Sequence, residues 1–163
     1  MNFIKIEPCN SANGPGVRTI LWCAGCSHHC KECHNMHTWD PNSGTVFSEK
    51  EIDILLEDLS KPYIRGLTFS GGDPMYPANR ETVFRIAKIC KEKFPEKDIW
   101  CWTGYNFEDI SMFPDIKYID VIVDGKFEID KKDLTLVWRG SSNQRVIDVK
   151  KSLELNKIIK IME

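Results

Sequence analysis

Val17-Arg18-Thr19-Ile20-Leu21-Trp22-Cys23-Ala24-Gly25-Cys26-Ser27-His28-His29-Cys30-Lys31-Glu32-Cys33 is the stretch on which the reading of the fold turns. Its first seven residues are rich in β-branched and aromatic types and predict a strand over 17–23. That strand leads straight into a loop whose thiols Cys26, Cys30 and Cys33 stand at C-x3-C-x2-C. Three thiolates so spaced can wrap one face of an iron–sulfur cube. They give three ligands to four irons, so one iron is left without a protein thiolate. An open iron can bind a small molecule, so the site can do chemistry as well as pass electrons.

Outward from this stretch, helical and extended signals alternate. Ser48-x-x-Glu51 reads as a capping box, and Ile52, Leu55, Leu56 and Leu59 form the stripe of a helix over 49–59. A strand over 64–69 ends in Ser70-Gly71-Gly72-Asp73-Pro74. Val83, Ile86, Ala87, Cys90 and Phe94 predict a helix over 79–94. Next come a strand over 98–103, Gly104, a short helix near 106–112, and a strand over 117–123 closed by Asp124-Gly125. Segments 135–138 and 145–149 read as extended.

This alternation implies an α/β fold with a mainly parallel sheet and crossover helices. An eight-unit barrel usually needs ~250 residues, and the chain has 163. An open, partial (βα) barrel forming a single domain over 1–163 is therefore expected. Ligands in such folds sit at the carboxyl ends of the strands. The cysteine loop, Ser70-Gly71-Gly72-Asp73 and Thr103-Gly104 all follow predicted strands, so they are expected to converge on one end of the sheet.

Hydrophobic residues make up 42% and charged residues 28% of the chain, ordinary for a globular protein. A net charge of −2 with no basic block argues against nonspecific nucleic-acid binding as the main role. No apolar run reaches the ~18 residues of a membrane span, and the start of the chain lacks a signal-peptide pattern. A cytoplasmic location is expected. There, seven cysteines point to metal or redox work more than to a disulfide framework.

Cys23-x2-Cys26 and Cys30-x2-Cys33 also form two CxxC pairs, which keeps two alternatives open. A four-cysteine zinc site is one, although the three-residue gap between the pairs is short beside common zinc spacings. A four-thiolate electron-transfer cluster is the other, although the Cys-Pro that usually completes that pattern is absent. Cys23 closes an apolar run and reads as a buried strand thiol. Cys9, Cys90 and Cys101 have no partner spacing and read as small packed hydrophobes. Among His28, His29, His34 and His37, His34 is the one kept as a site candidate, because it follows Cys33 directly. Asn13-Gly14-Pro15-Gly16 precedes a strand and lacks the context of a phosphate loop. It reads as a turn, with Arg18 expected near the site.

The three-cysteine motif after a first strand, with Gly-Gly-Asp-Pro after a later one, resembles the radical S-adenosylmethionine superfamily. Asn13-Gly14-Pro15-Gly16-Val17-Arg18, Cys33-His34-Asn35, Ser70-Gly71-Gly72-Asp73-Pro74, Trp102-Thr103-Gly104-Tyr105, Val123-Asp124-Gly125-Lys126-Phe127 and Trp138-Arg139-Gly140-Ser141-Ser142-Asn143-Gln144 narrow it. Together they are similar to the glycyl-radical activating proteins that serve the anaerobic ribonucleoside-triphosphate reductase. The resemblance implies a 4Fe-4S cluster on Cys26, Cys30 and Cys33, with S-adenosylmethionine chelating the open iron through its amine and carboxylate. It implies reductive cleavage to methionine and a 5′-deoxyadenosyl radical, which takes hydrogen from a glycine on the reductase large chain. Gly71, Gly72, Asp73 and Thr103 would line the S-adenosylmethionine site, Asp73 by accepting from the methionyl ammonium. Glu32 stands where many members of the superfamily carry an aromatic residue. That shifts the expected adenine contact to backbone around Glu32 and Cys33 and to His34.

Trp138 to Gln144 is expected to dock the reductase or close the site. A low-potential donor such as flavodoxin is expected as electron source, and pairing of two copies is left open. The alternatives in function are an activase for another glycyl-radical enzyme, of formate-lyase type, and a non-catalytic iron–sulfur or zinc module.

Overall fold

The structure is a computed structural model and describes residues 1–162. Seven strands, β1 (Asn2–Asn10), β2 (Arg18–Cys23), β3 (Thr45–Val46), β4 (Gly66–Gly71), β5 (Asp98–Trp102), β6 (Val121–Asp124) and β7 (Arg145–Asp148), form one sheet in the order β3-β1-β2-β4-β5-β6-β7. Four helices are interspersed: α1 (Glu49–Leu59), α2 (Arg80–Lys93), α3 (Phe107–Ile110) and α4 (Val149–Leu155). The central strands β2, β4, β5 and β6 are mutually parallel. The outer pairings, β1 with β2, β1 with β3 and β6 with β7, are antiparallel. The α/β class and parallel centre are as expected; the sheet is open, and the expected partial barrel reduces to that open sheet.

Alternation along the strands divides the sheet into two unlike faces. Leu21, Cys23, Leu67, Phe69, Ile99, Cys101, Ile122 and Ile147 point to one face. There they join Ile52, Leu55 and Leu59 of α1, Val83, Ile86 and Ala87 of α2, and Phe107 and Ile110 of α3 in one buried core. Trp100, Val121, Val123 and Val146 point to the other face, where Trp102 and Trp138 pack on them. Among the described residues no α-helix packs on this second face. The loop from 126 to 144 crosses it, tied by a hydrogen bond from Trp102 Nε1 to the Trp138 carbonyl (2.9 Å).

Helix α1 starts where its capping box predicts: the Glu51 carboxylate accepts from the Ser48 N–H at 2.7 Å. Helix α2 also matches expectation. The expected strand over 117–123 is instead a 3-10 turn over Pro114–Tyr118 followed by β6. Pro114 starts that turn, and Ile116 and Ile119, three residues apart, are both buried. Segment 135–138 is not extended either. The Asp133 carboxylate accepts from the Thr135 N–H (2.8 Å) and hydroxyl (2.6 Å), which turns the chain. Strands β1 and β3 and helix α4 are elements the sequence reading missed; β1 is interrupted by irregular register and holds Pro8.

Arg18 stands at the start of β2, at the opposite end of the sheet from the cysteine loop. It is fully buried. Its guanidinium donates to Thr68 Oγ1 (2.8 Å), the Leu67 carbonyl (2.9 Å) and the Asp98 carbonyl (3.1 Å), and pairs with the Asp98 carboxylate. Trp100 lies under it at 5.7 Å. The expectation that Arg18 lies near the site is thus corrected: it closes the amino-terminal end of the parallel strands.

Candidate functional site

At the carboxyl end of the parallel strands, three chain segments meet as expected. The turn after β4 is sewn to the exit of β2 by backbone bonds from Gly72 N–H to the Cys23 carbonyl and from Asp73 N–H to the Gly25 carbonyl, both 2.8 Å. These contacts give Gly71 and Gly72 a specific reason. A Cβ on Gly71, whose φ is +103°, would lie 2.6 Å from the Cys23 oxygen. A Cβ on Gly72 would lie 2.6 Å from the Gly25 oxygen and 2.9 Å from that of Thr38. The two glycines let two backbones touch. Asn79 strengthens the seam. It stands at the N-cap of α2 without capping it, and its side-chain amide donates to the Ala24 (2.7 Å) and Asp73 (2.9 Å) carbonyls.

Asp73 is buried, at 1% exposure, and its carboxylate joins three segments. Oδ1 accepts from the Thr103 hydroxyl (2.7 Å) and the Met75 N–H (2.8 Å), and Oδ2 from the Gly104 N–H (2.9 Å). The Nε2 of His28, inside the cysteine loop, lies 2.8 Å from the same Oδ2. That is ion-pair distance, but the ring is not aligned for a hydrogen bond. The Tyr105 ring meets it edge-on at 4.6 Å. On the outer side of the loop His29, at φ +47°, stacks on Trp39 at 4.5 Å.

Cys26, Cys30 and Cys33 line one open cleft of ≈ 170 Å³ with Ser70, Gly71, Gly72, Asp73, Thr103, Phe127 and Gln144. A neighbouring cavity of ≈ 350 Å³ shares Cys30, Cys33 and Phe127 with it and reaches Trp22, Glu32, His34 and Leu134. Partial burial pushes the Cys26 thiol up to about 11, partly offset by the backbone of His28 and His29. Burial raises Cys30 too, opposed by the Phe127 backbone and the charge of Lys126. The Asn35 N–H reaches Cys33 Sγ at 3.4 Å. The Asn35 contact is the one amide hydrogen bond to a loop sulfur among the described residues.

Cys23, by contrast, is fully buried on the helix face, where desolvation raises its thiol far above the ordinary range. Cys90 and Cys101 are also buried, and desolvation pushes Cys90 up to about 12. Cys9 departs from the packing expected of it: it is exposed, at φ +56°. Among the described residues no three His, Cys, Asp or Glu side chains converge on a single-ion site. Three thiols spread around one cleft suit a cluster, whose irons are spaced apart. His34 and Glu32 lie exposed on the rim of the larger cavity. Residues the sequence reading passed over are His28, Phe127 and Asn79. Each owes its place to a residue distant in the chain, so local spacing gives no sign of it.

Residues 12–147 match the family model of a 4Fe-4S single cluster domain. The chain is 49% identical over 146 residues to the anaerobic ribonucleoside-triphosphate reductase-activating protein of Enterobacteria phage T4, covering 90% of this chain and 93% of that one. Proteins of the same name from Vibrio cholerae and Escherichia coli K12 are 44% and 41% identical. Those alignments cover 88% and 90% of this chain, and 96% and 97% of theirs.

Proposed function

Because the chain belongs to the family of anaerobic ribonucleoside-triphosphate reductase-activating proteins, we propose that it activates such a reductase by forming a glycyl radical on it, as a radical S-adenosylmethionine enzyme. The observation that carries this reading is the single cleft shared by Cys26, Cys30, Cys33 and the Gly71-Gly72 turn. Those three cysteines would hold the 4Fe-4S cluster, and Cys23, facing the helices, stays outside the ligand set. When bound, the cluster and S-adenosylmethionine supply an electron and a 5′-deoxyadenosyl group able to take hydrogen from a glycine.

The chain's own residues position and shield. The Asn35 N–H, bonded to Cys33 Sγ, would stabilise negative charge on that sulfur. Asp73 and Thr103 bond to each other and set the shape of the cleft floor. The Asp73 carboxylate already accepts three internal bonds. Its two oxygens offer about four acceptor positions, so it would still take the methionyl ammonium, beside the backbone edge at Gly71 and Gly72. Glu32, Cys33 and His34 stand on the side of the larger cavity, where the adenosyl group would lie. The reductase large chain is the partner, and a flavodoxin-like protein the electron source.

The test is anaerobic reconstitution with iron and sulfide, reduction, addition of S-adenosylmethionine, and chromatography for 5′-deoxyadenosine and methionine. The reductase is then added and its radical followed by electron paramagnetic resonance. Cleavage dependent on Cys26, Cys30 and Cys33, with a glycyl signal on the reductase, is expected. A fully loaded, reduced protein that cleaves nothing even with the reductase present would overturn the reading in favour of electron transfer.

A further inference from the structure

We infer that His28 is a positioning residue. Its ring latches the cysteine loop onto Asp73 and the end of β5, so that the loop is held in shape before any iron arrives. The inference rests on the proposed function only in taking Cys26, Cys30 and Cys33 as the cluster ligands.

A loop between two thiolates is the part of a metal site most apt to be floppy without its metal, because a preformed site is rare in an unordered chain. Up to Cys26 the chain is held by backbone: Gly25 N–H donates to the Thr38 carbonyl (2.7 Å) and Cys26 N–H to that of Trp39 (3.0 Å). From Ser27 to Cys30 the side chains of His28 and His29 take over. His29 stacks outward on Trp39, an exposed contact. His28 turns inward, its side chain only 16% exposed, with Nε2 2.8 Å from Asp73 Oδ2.

The receptor for that ring is built. Asp73 cannot turn away, because Thr103, Met75 and Gly104 donate to its oxygens. Tyr105 flanks the imidazole. Gly104 clears its space: a Cβ there would lie 2.4 Å from the His28 ring. Gly104 has no positive φ to explain it, so room for His28 is the local reason for a glycine at this position. The imidazole thus links the cysteine loop to the carboxylate that already joins the ends of β4 and β5. Groups that orient metal ligands from behind typically contribute 10–100-fold in metal affinity.

His28→Ala, His28→Gln and Gly104→Ala are the variants to compare with the parent. Amide hydrogen exchange of residues 26–33 is measured in the iron-free chain, and transfer of iron to a chelator in the reconstituted one. We expect His28→Ala to raise loop exchange about tenfold and to speed iron loss by roughly 10-fold or more, with the central strands unchanged. Gln carries an amide nitrogen at a similar reach, so His28→Gln should restore most of both. Gly104→Ala, which keeps the imidazole but takes its space, should reproduce the loss. Unchanged exchange at 26–33 in both His28→Ala and Gly104→Ala overturns the latch whatever the iron does. If His28→Ala loosens the whole fold, Gly104→Ala decides alone by the same criterion. A loaded parent that fails to cleave S-adenosylmethionine removes the proposed reaction but leaves this inference standing on the exchange data.

Discussion

A methyl group added at Gly71 or Gly72 would strike backbone, which cannot swing aside as a side chain can. Gly71→Ala combines that clash with an unfavourable positive φ. It should cost about 2–4 kcal/mol in urea denaturation, and Gly72→Ala somewhat less, by the usual scale of overpacking and backbone strain. The cysteines separate just as sharply. Cys23→Ala removes a small buried group and should cost about 1 kcal/mol while leaving iron content intact. Cys26→Ala, Cys30→Ala and Cys33→Ala should each lose cluster iron, read by metal analysis after anaerobic desalting. Iron lost on replacing Cys23 would restore the four-thiolate alternative. The spacing of the three loop thiols was legible in the sequence, and so was Cys23 as a strand thiol, since both follow from local pattern. His28 was not legible. Nothing beside it in the chain announces Asp73, and its neighbour His34 looked the better candidate only through adjacency to a cysteine.

The loop from 126 to 144 shows how a polar run becomes an element of structure. Gln144 accepts at Oε1 from the N–H groups of Gly140 (2.9 Å) and Ser141 (3.1 Å), and its Nε2 donates to the Gly125 carbonyl (3.0 Å). Asn143 donates to the Lys126 carbonyl (2.8 Å). The Trp138-to-Gln144 stretch thus closes the loop upon itself and brings Gln144 and Phe127 to the cysteine cleft. Gln144→Ala leaves the exposed Gly140 amide to water and the part-buried Ser141 amide without that acceptor, which should cost about 1 kcal/mol. Hydrogen exchange should rise across 126–144 and stay level in α1 and α2; a uniform rise would refute the local role. The helices were readable because period and caps agree within a few residues. This loop was not, because its bonds join residues up to 36 positions apart, and the Asp133 turn overrode the β-type residues at 135–138.

Across the whole molecule, one ion-pair group fastens β6 and β7 to α3. Arg145 donates to both Glu108 oxygens (3.1 and 2.7 Å) and pairs with buried Asp124. Hydrogen bonds from Arg145 hold the Glu108 carboxyl below its ordinary range, against a smaller desolvation effect. The folded value is thus lower than the unfolded one of ~4.3. The stabilisation is complete above that unfolded value and is lost as pH falls through the lowered folded value. Glu108 is largely exposed, so Glu108→Gln should cost under about 1 kcal/mol near neutrality. The difference from the parent should shrink as pH falls below the ordinary carboxylate range and vanish once Glu108 is protonated in the folded protein. Urea midpoints at neutral and acid pH check the sign, and a deficit that grows on acidification would contradict it.

The unequal covering of the sheet also makes the protein its own optical gauge. Of five tryptophans, Trp100, Trp102 and Trp138 cluster on the face without α-helices, Trp22 borders the larger cavity, and Trp39 stacks on His29 of the cysteine loop. The helix-packed core contains none of them. Tryptophan emission therefore reports chiefly from the side where the cleft opens. A change in that light on adding iron, S-adenosylmethionine or reductase would time events at the cleft with no label attached.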